Sequence, residues 1–198
     1  QALLHEEMSQ HRAGLYATCY GVFGGAGMAQ LFDASEPIKE KYLYPTLRGE
    51  KHGFFGLSEP SGGSDPARAI QTKAVKDGDD WLLNGSKLWI SGADSADYGL
   101  VFARTDASAG RAGITAFLVP RDSPGVSIGK HEKKTGIRAS STTEVLFQNA
   151  RIPKGSMLGE LNKGFSVAMD TLDGGRIGIA AQALGIARRQ DARQSGGG

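Results

Sequence analysis

The chain has 198 residues, of which 39% are hydrophobic and 22% are charged, and its formal net charge is +2. These values predict a folded chain and exclude a disordered one, and the small, evenly mixed charge argues against a nucleic-acid partner. The single cysteine, Cys19, excludes an intramolecular disulfide and a cysteine-based zinc site. Neither a membrane-spanning apolar run nor a signal peptide is visible, so we expect a soluble, intracellular protein.

Residues 1–49 have the pattern of helices. Ser35-Glu36-Pro37 is typical of a helix start, and Gly49 is typical of a helix end. The glycines between residues 21 and 27 do not match a dinucleotide-binding fingerprint, and they indicate instead a close approach of two helices. The first quarter of the chain is therefore predicted to be helical.

From residue 50 to about 159 the pattern changes to short runs broken by Gly, Asp and Asn. Asn84-Gly85, between two apolar-rich runs, predicts a hairpin turn because both turn residues need positive φ. Further strands are predicted at 100–104, 114–119, 126–130 and 144–147. Short strands at regular spacing predict an antiparallel sandwich or barrel.

After Asn162 the helical period returns, and it predicts one long helix that ends near residue 189. Its apolar positions include Phe165, Met169, Leu172 and Ile179. We expect this stripe to lack packing partners within the chain, so that the fold continues beyond it. The last five residues, 194–198, carry no core-forming side chains and are predicted to be disordered.

The stretch around which the chain is organised is Phe54-Phe55-Gly56-Leu57-Ser58-Glu59-Pro60-Ser61-Gly62-Gly63-Ser64-Asp65. It begins as a strand and then turns at Pro60 and the Gly62-Gly63 pair. A turn of this kind presents backbone N–H groups and hydroxyls, which suit an anionic or amide-rich ligand. The alternative is an ordinary β-turn in which Ser and Asp cap the backbone locally.

Two other stretches carry chemistry. In Trp89-Ile90-Ser91-Gly92, an indole plane and a hydroxyl could flank a planar heteroaromatic ring, although a core Trp with a turn Ser is the alternative. In Asp173-Gly174-Gly175-Arg176, two helical glycines leave the backbone open to a large group, and the Arg could bind phosphate or an adenine face. A surface ion pair three residues apart is the alternative there.

Taken together and in order, these motifs resemble the acyl-CoA dehydrogenases, most closely the short-chain, butyryl-CoA branch. The resemblance covers residues 36–189. It is carried by Gly56-Leu57-Ser58-Glu59-Pro60, Gly63-Ser64-Asp65, Asn84-Gly85-Ser86-Lys87, Trp89-Ile90-Ser91, Ala116-Phe117-Leu118-Val119-Pro120, Pro124-Gly125, Gly136-Ile137-Arg138 and Leu172-Asp173-Gly174-Gly175-Arg176-Ile177-Gly178-Ile179-Ala180.

The resemblance implies an α+β fold in three parts. Residues 1–49 would end an N-terminal helical domain, and residues 50–159 would form an antiparallel, β-barrel-like, flavin-binding middle domain. Residues 160–198 would hold the first helix of a truncated C-terminal helical bundle and a disordered tail.

The resemblance also implies the ligands. FAD would be held by Phe55, Leu57, Ser58, Gly63, Ser64, Trp89, Ile90 and Ser91. The acyl-CoA substrate would be held by Ser64, Asp173, Gly174, Gly175 and Arg176. An electron-transfer flavoprotein would be the electron acceptor, and the full-length protein would be a homo-oligomer of fatty acid β-oxidation. It would be cytoplasmic, or lie in the mitochondrial matrix in a eukaryote.

The chain departs from the family in three respects: it lacks a match to the front of the N-terminal helical domain, to the later segments that bind FAD across a dimer interface, and to the catalytic base. Acyl-CoA dehydrogenation needs a carboxylate base near the α-carbon, and no residue here matches that base. Glu59 and Asp65 are acids near the flavin loop, but neither takes its place. We therefore assign no catalytic residue and expect the 198 residues alone to be inactive. A non-catalytic ligand- or partner-binding module is the alternative, and a flavin-dependent oxygenase of similar fold is a further one.

Overall fold

The computed structural model describes residues 2–10, 28–138 and 140–195. The helices are α1 (Ala2–Ser9), α2 (Met28–Leu31), α3 (Glu36–Ile38), α4 (Tyr44–Leu47), α5 (Pro66–Ala69) and α6 (Gly164–Ser195). The strands are β1 (Gly53–Gly56), β2 (Lys73–Asp77), β3 (Asp80–Ser91), β4 (Tyr98–Arg104), β5 (Ile114–Pro120), β6 (Val126–His131), β7 (Thr142–Ile152) and β8 (Met157–Leu158). Short 3-10 helices span Gly110–Gly113 and Lys154–Ser156.

The predicted helix start at Ser35 is confirmed. Ser35 has extended backbone before α3, and a proline lies in the first turn. A π-helical segment, Lys39–Leu43, joins α3 to α4, and Gly49 follows with a φ of +73°. The close helix approach predicted at residues 21–27, and Cys19, lie outside the described residues.

The strands form one open sheet in the order β6-β7-β3-β2-β4-β5-β8, with β1 also beside β4. The expected barrel-like, purely antiparallel arrangement is therefore corrected. Both β1 and β2 run parallel to β4. The two strands follow one another along the same edge of β4, β1 beside residues 98–101 and β2 beside Arg104, and residues 57–72, which include α5, connect them. No pairing between β6 and β8 closes the sheet within the part of the chain described.

The hairpin predicted at Asn84-Gly85 is wrong, because β3 continues through both residues. The turn lies instead at Gly78, whose φ is +60°, between β2 and β3. Gly85 uses its φ of +147° in a bulge of β3, where a Cβ would lie 2.6 Å from Thr72 Oγ1. Asn84 pairs across the sheet with Asn149, whose backbone N–H donates to Asn84 Oδ1 at 2.8 Å. A residue pair typical of turns therefore forms a bulge here, which bends β3 without ending it.

Two buried clusters contact the sheet from opposite sides, because alternate residues of β4 and β5 belong to different clusters. The first contains Phe54, Leu83, Val101, Phe117, Val119, Val145, Phe147 and Ile152. The second contains Leu31, Tyr42, Leu43, Tyr98, Leu100, Phe102, Ile114 and Leu118. The side chains of β4 are thus buried on both faces, which explains its nearly continuous apolar sequence.

Helix α6 is longer and better packed than predicted. Its Phe165, Met169 and Leu172 are partly buried against the second cluster, so the expectation of a wholly unpartnered stripe is wrong, although Ile179 is exposed. The helix extends to Ser195, so the disorder predicted from residue 194 is wrong for its first two residues. Residues 196–198 lie outside the description. None of the helices described combines the length and apolarity needed to cross a bilayer.

Candidate functional site

The loop after β1 has the tight turn that its prolines and glycines predict. The backbone N–H of Gly62 donates to the carbonyl of Glu59 at 3.0 Å, and Gly62 has a φ of +148°. The turn brings Gly63 back towards Ser58, so that a Cβ at Gly63 would lie 3.6 Å from Ser58 Oγ. Ser61 Oγ donates to the carbonyl of Ala69 at 2.5 Å and thereby ties the tip of the loop to α5.

A buried ion pair lies beneath this loop. The Glu59 side chain is 4% exposed and the Lys87 side chain is fully buried, and Lys87 Nζ lies 2.6 Å from Glu59 Oε1. Lys87 Nζ also donates to the carbonyl of Phe102 at 2.6 Å and, at 3.4 Å, to that of Leu57. The ammonium thus has three oxygen acceptors, one for each of its protons.

The carboxylate of Glu59 has further donors. The backbone N–H groups of Gln71 and Thr72 donate to it at 2.7 and 3.1 Å, respectively. Burial lowers the pKa of Lys87 to about 8, and the attraction of Glu59 opposes that shift. Both charges are therefore fully hydrogen-bonded inside the protein, which is the condition under which a buried pair is tolerated.

Strand β3 places Trp89 outward by means of a second bulge. The pairing register between β3 and β7 shifts between Lys87 and Ile90, and Trp89 has a φ of +60°, which is rare for a bulky residue. Its indole is 62% exposed, whereas Ile90 is 2% exposed. Because the backbone N–H of Leu88 donates to the carbonyl of Ser58 at 2.9 Å, the bulge lies directly beside the loop.

The predicted cofactor-binding residues therefore divide into two groups. Phe55 and Leu57 are partly or wholly buried in the second cluster, with the Phe55 ring packed edge-on against Phe102 at 5.3 Å. The hydroxyls of Ser58, Ser64 and Ser91 have no hydrogen-bond partner among the described residues, and the Ser64 and Ser91 side chains are exposed. Unused hydroxyls beside an exposed indole can bind a planar ring and hydrogen-bond its polar edge.

The predicted substrate-binding residues on α6 are exposed to solvent. Asp173 and Arg176 form an ion pair one turn apart, and both side chains are exposed. A Cβ added at Gly174 or Gly175 would contact nothing. The guanidinium of Arg176 donates to the carboxylate of Asp173, which lies on the same exposed face of the helix. Of the predicted substrate-binding residues, Ser64 lies in the loop after β1 together with the predicted cofactor-binding residues Ser58 and Gly63.

Sequence reasoning missed two features. One is a cleft of about 610 Å³, lined by Asp94, His131, Glu132, Lys133, Lys134, Arg138, Ser140, Ser141 and Thr142. The other is the pair formed by Lys87 and Glu59. The alternation of β3 carried a signal for it, because Lys87 follows Trp81 and Leu83 on the inward-facing side of the strand, where a lysine is unusual.

The family model for the middle domain of acyl-CoA dehydrogenases matches residues 54–150. The chain is 53% identical over 153 residues to a short-chain-specific acyl-CoA dehydrogenase of Clostridium acetobutylicum, an alignment that covers 77% of this chain and 40% of that protein. The chain therefore spans less than half the length of this curated relative.

Solved structures agree with the sequence comparison. The butyryl-CoA dehydrogenase of Megasphaera elsdenii superposes with a TM-score of 0.87 at 45% identity, over 95% of this chain and 49% of that one. A chain from a study of the electron transferring flavoprotein of Acidaminococcus fermentans superposes equally well, with a TM-score of 0.87 at 44% identity and the same coverage. Residues 54–150 thus match the middle domain of the acyl-CoA dehydrogenase family, and the structural similarity to butyryl-CoA dehydrogenase extends over 95% of the chain.

Proposed function

We propose that this chain is the flavin-binding part of an acyl-CoA dehydrogenase that acts on short-chain acyl thioesters. The observation that carries the proposal is the exposed indole of Trp89, held at a φ of +60° beside the Ser58 carbonyl. A non-glycine residue in this region costs about 1–2 kcal/mol, and the bulge of β3 accepts that cost at the position that turns the indole outward beside the loop. The identity to short-chain-specific relatives supports the substrate class.

The residues present fit FAD. When bound, FAD supplies the acceptor for the hydride that leaves the β-carbon of the acyl chain. The indole of Trp89 would cover one face of the ring system, and the unpaired hydroxyls of Ser58, Ser64 and Ser91 would hydrogen-bond its polar edges. Ile90 is buried, so it would contribute backbone groups only. Gly63 would allow the ligand to approach the loop closely.

The acyl-CoA substrate would lie against the open turn of α6. Arg176 would meet a phosphate or the adenine of CoA, and Gly174 and Gly175 would leave room for it. Asp173 orients the guanidinium of Arg176 through their ion pair. Ser64 would contact both ligands. We assign no residue of this chain as the base that removes the α-proton.

The remaining proposals concern the protein as a whole. We propose an electron-transfer flavoprotein as the electron acceptor and a homo-oligomeric assembly, in the cytoplasm or, in a eukaryote, in the mitochondrial matrix. The study that includes the Acidaminococcus chain concerns such a flavoprotein, which supports the choice of acceptor. The exposed Ile177 and Ile179 of α6 are available for contacts with further helices.

Flavin titration of the Trp89→Ala variant tests the proposal. Loss of the stacked indole removes about 0.5–1.5 kcal/mol, so the Kd for FAD should rise roughly two- to twelvefold. The Kd is measured from the quenching of flavin fluorescence on binding. In a complete enzyme that contains the chain, a second measurement follows the anaerobic reduction of the bound flavin by butyryl-CoA.

Phe32→Ala is the matched control, since Phe32 is a similarly exposed aromatic residue outside the loop and the bulge. Its FAD affinity should equal that of the wild type. An unchanged affinity and flavin spectrum in Trp89→Ala would remove Trp89 from the site, and the absence of any flavin binding by the wild-type protein would reject the proposed function.

A further inference from the structure

The buried pair of Lys87 and Glu59 is costly for the protein. Removing an ammonium and a carboxylate from water carries a large desolvation penalty, and apolar residues of similar volume often give equal or greater stability at such positions. The pair is nevertheless fully enclosed, with the two side chains 0% and 4% exposed. Its contribution must therefore be sought in the geometry that it fixes.

That geometry joins four segments of the chain. Lys87 belongs to β3, and its ammonium bonds the carbonyl of Phe102 in β4 and the carbonyl of Leu57 at the start of the loop. Glu59 lies within the loop and accepts from the backbone N–H groups of Gln71 and Thr72, just before β2. The bonds of Lys87 to Leu57 and Glu59 fix two distances between the loop and β3, and the bond to Phe102 fixes the ammonium against β4.

The pair also lies directly beneath the ligand-facing atoms. Ser58 is the residue between Leu57 and Glu59, both of which contact Lys87. On the other side, Leu88 is the residue between Lys87 and Trp89, and its N–H bonds the Ser58 carbonyl. Lys87 thus bonds both sequence neighbours of Ser58 in the loop, and Trp89 follows Lys87 by two residues in β3.

We propose that Lys87 and Glu59 are positioning residues, which hold the loop of residues 58–64 at a fixed distance from Trp89 so that the hydroxyl of Ser58 and the indole can bind one flavin together. This inference rests on the proposed function for the identity of the ligand. The positioning itself is a property of the ligand-free protein, because every bond that carries it lies within the chain. It can therefore be tested with and without flavin.

The first measurement is hydrogen exchange of the ligand-free Lys87→Met variant. Met fills a similar volume, and Glu59 keeps its two backbone donors. We expect the amides of Leu88 and Gly62, which bond the loop carbonyls, to exchange at least tenfold faster, while the amide of Val101 in the centre of β4 exchanges as in the wild type. Equal acceleration at all three amides would mean that the pair serves the overall fold, and would overturn the proposal.

The second measurement is the Kd for FAD. Lys87→Met should raise it at least tenfold, although Lys87 is buried and cannot touch the flavin. Arg48→Met is the matched control, because it removes a cation from an exposed ion pair with Glu50 outside the site. That control should leave both the flavin affinity and the exchange of Leu88 unchanged.

Glu59→Gln provides a second variant should Lys87→Met fail to fold. It keeps the shape of the side chain and replaces the charged bond to Lys87 with a neutral one, so we expect a smaller, local increase in exchange at Leu88 and Gly62. Wild-type exchange at both amides in a folded variant would overturn the proposal. If the wild-type protein binds no flavin, the proposed function fails, and the exchange data alone still decide whether the pair positions the loop.

Discussion

The two stretches assigned to ligands, the loop of residues 58–64 and the α6 turn of residues 173–176, are built in opposite ways. The loop is anchored from inside, through a buried carboxylate at Glu59 and a buried ammonium at Lys87. The α6 turn has only the helix backbone and an exposed ion pair between Asp173 and Arg176. The chain therefore fixes the shape of the loop by itself, and it leaves the α6 turn open on one side.

The glycines of α6 repeat this contrast within a single helix. A Cβ at Gly164 would lie 2.5 Å from backbone atoms of Thr115 and Ala116, so the helix start touches β5 directly. A Cβ at Gly185 would collide with the backbone of Glu6 in α1. Gly174, between them, faces open space. The absence of a side chain serves packing within the chain at the first two positions and leaves a free surface at the third.

The largest expected effect follows from replacing Gly164. Gly164→Ala forces a methyl group into the backbone of β5, and overpacking of this kind costs about 1–3 kcal/mol of unfolding free energy. Gly174→Ala is the matched control on the same helix. It adds a methyl group in open space and improves helix propensity by about 1 kcal/mol, so it should stabilise the protein. Urea unfolding of both variants gives the two free energies.

A stabilised Gly164→Ala variant would show that α6 does not approach β5 as closely as described. A destabilised Gly174→Ala variant would show that the α6 turn is covered by protein. Under the proposed function, Gly174→Ala has a second consequence: the added methyl group should weaken binding of an acyl-CoA ligand while the fold gains stability.

A smaller effect on the free energy of unfolding is expected at Tyr98, which lies against the start of β1. Its hydroxyl lies 2.9 Å from Thr46 Oγ1, and its ring approaches Gly53 at the first position of β1. Tyr98→Phe should lower the unfolding free energy by about 1 kcal/mol at neutral pH, the usual contribution of one buried hydrogen bond. Thermal or urea unfolding measures the difference.

The same residue predicts a dependence on pH. Burial raises the pKa of Tyr98 above its ordinary value of 10.0. The unfolded chain therefore loses the phenolic proton at a lower pH than the folded protein does, and the stability falls as the pH rises above 10. Tyr98→Phe lacks this proton, so its stability should fall less steeply between pH 9 and pH 11. Parallel slopes for the two proteins would contradict the assignment.

Patterns that repeat along the sequence predicted most of the fold. The strands at Tyr98–Arg104 and Ile114–Pro120 follow from short apolar runs bounded by turn residues, and the start of the long helix near residue 162 follows from helical periodicity. The tight turn at Pro60 and Gly62 follows from residue types that restrict or widen φ. These signals are local, so one chain segment suffices to determine them.

The errors came from interactions between distant segments. Asn84-Gly85 has the composition of a hairpin turn, but Asn149, 65 residues away, pairs with Asn84 and keeps the strand continuous. Lys87 falls on the inward-facing side of β3, but its partner Glu59, 28 residues earlier, is identified only by the tertiary structure. The candidate site residues could be proposed from a resemblance, whereas the buried pair beneath the loop required the tertiary structure.

The smallest expected effect on stability is that of Arg176→Ala. An exposed pair one helical turn apart contributes at most about 0.5 kcal/mol, so the unfolding free energy should stay within that margin of the wild type. In an active enzyme that contains this chain, the same change should raise the KM for acyl-CoA and leave kcat nearly constant, since a residue far from the reacting carbons contributes uniform binding. Steady-state kinetics with butyryl-CoA measure both constants, and Arg48→Ala, which breaks another exposed ion pair, should change neither. A large fall in kcat at constant KM would place Arg176 beside the reacting atoms and would mean that the α6 turn, like the loop, belongs to the chemical centre.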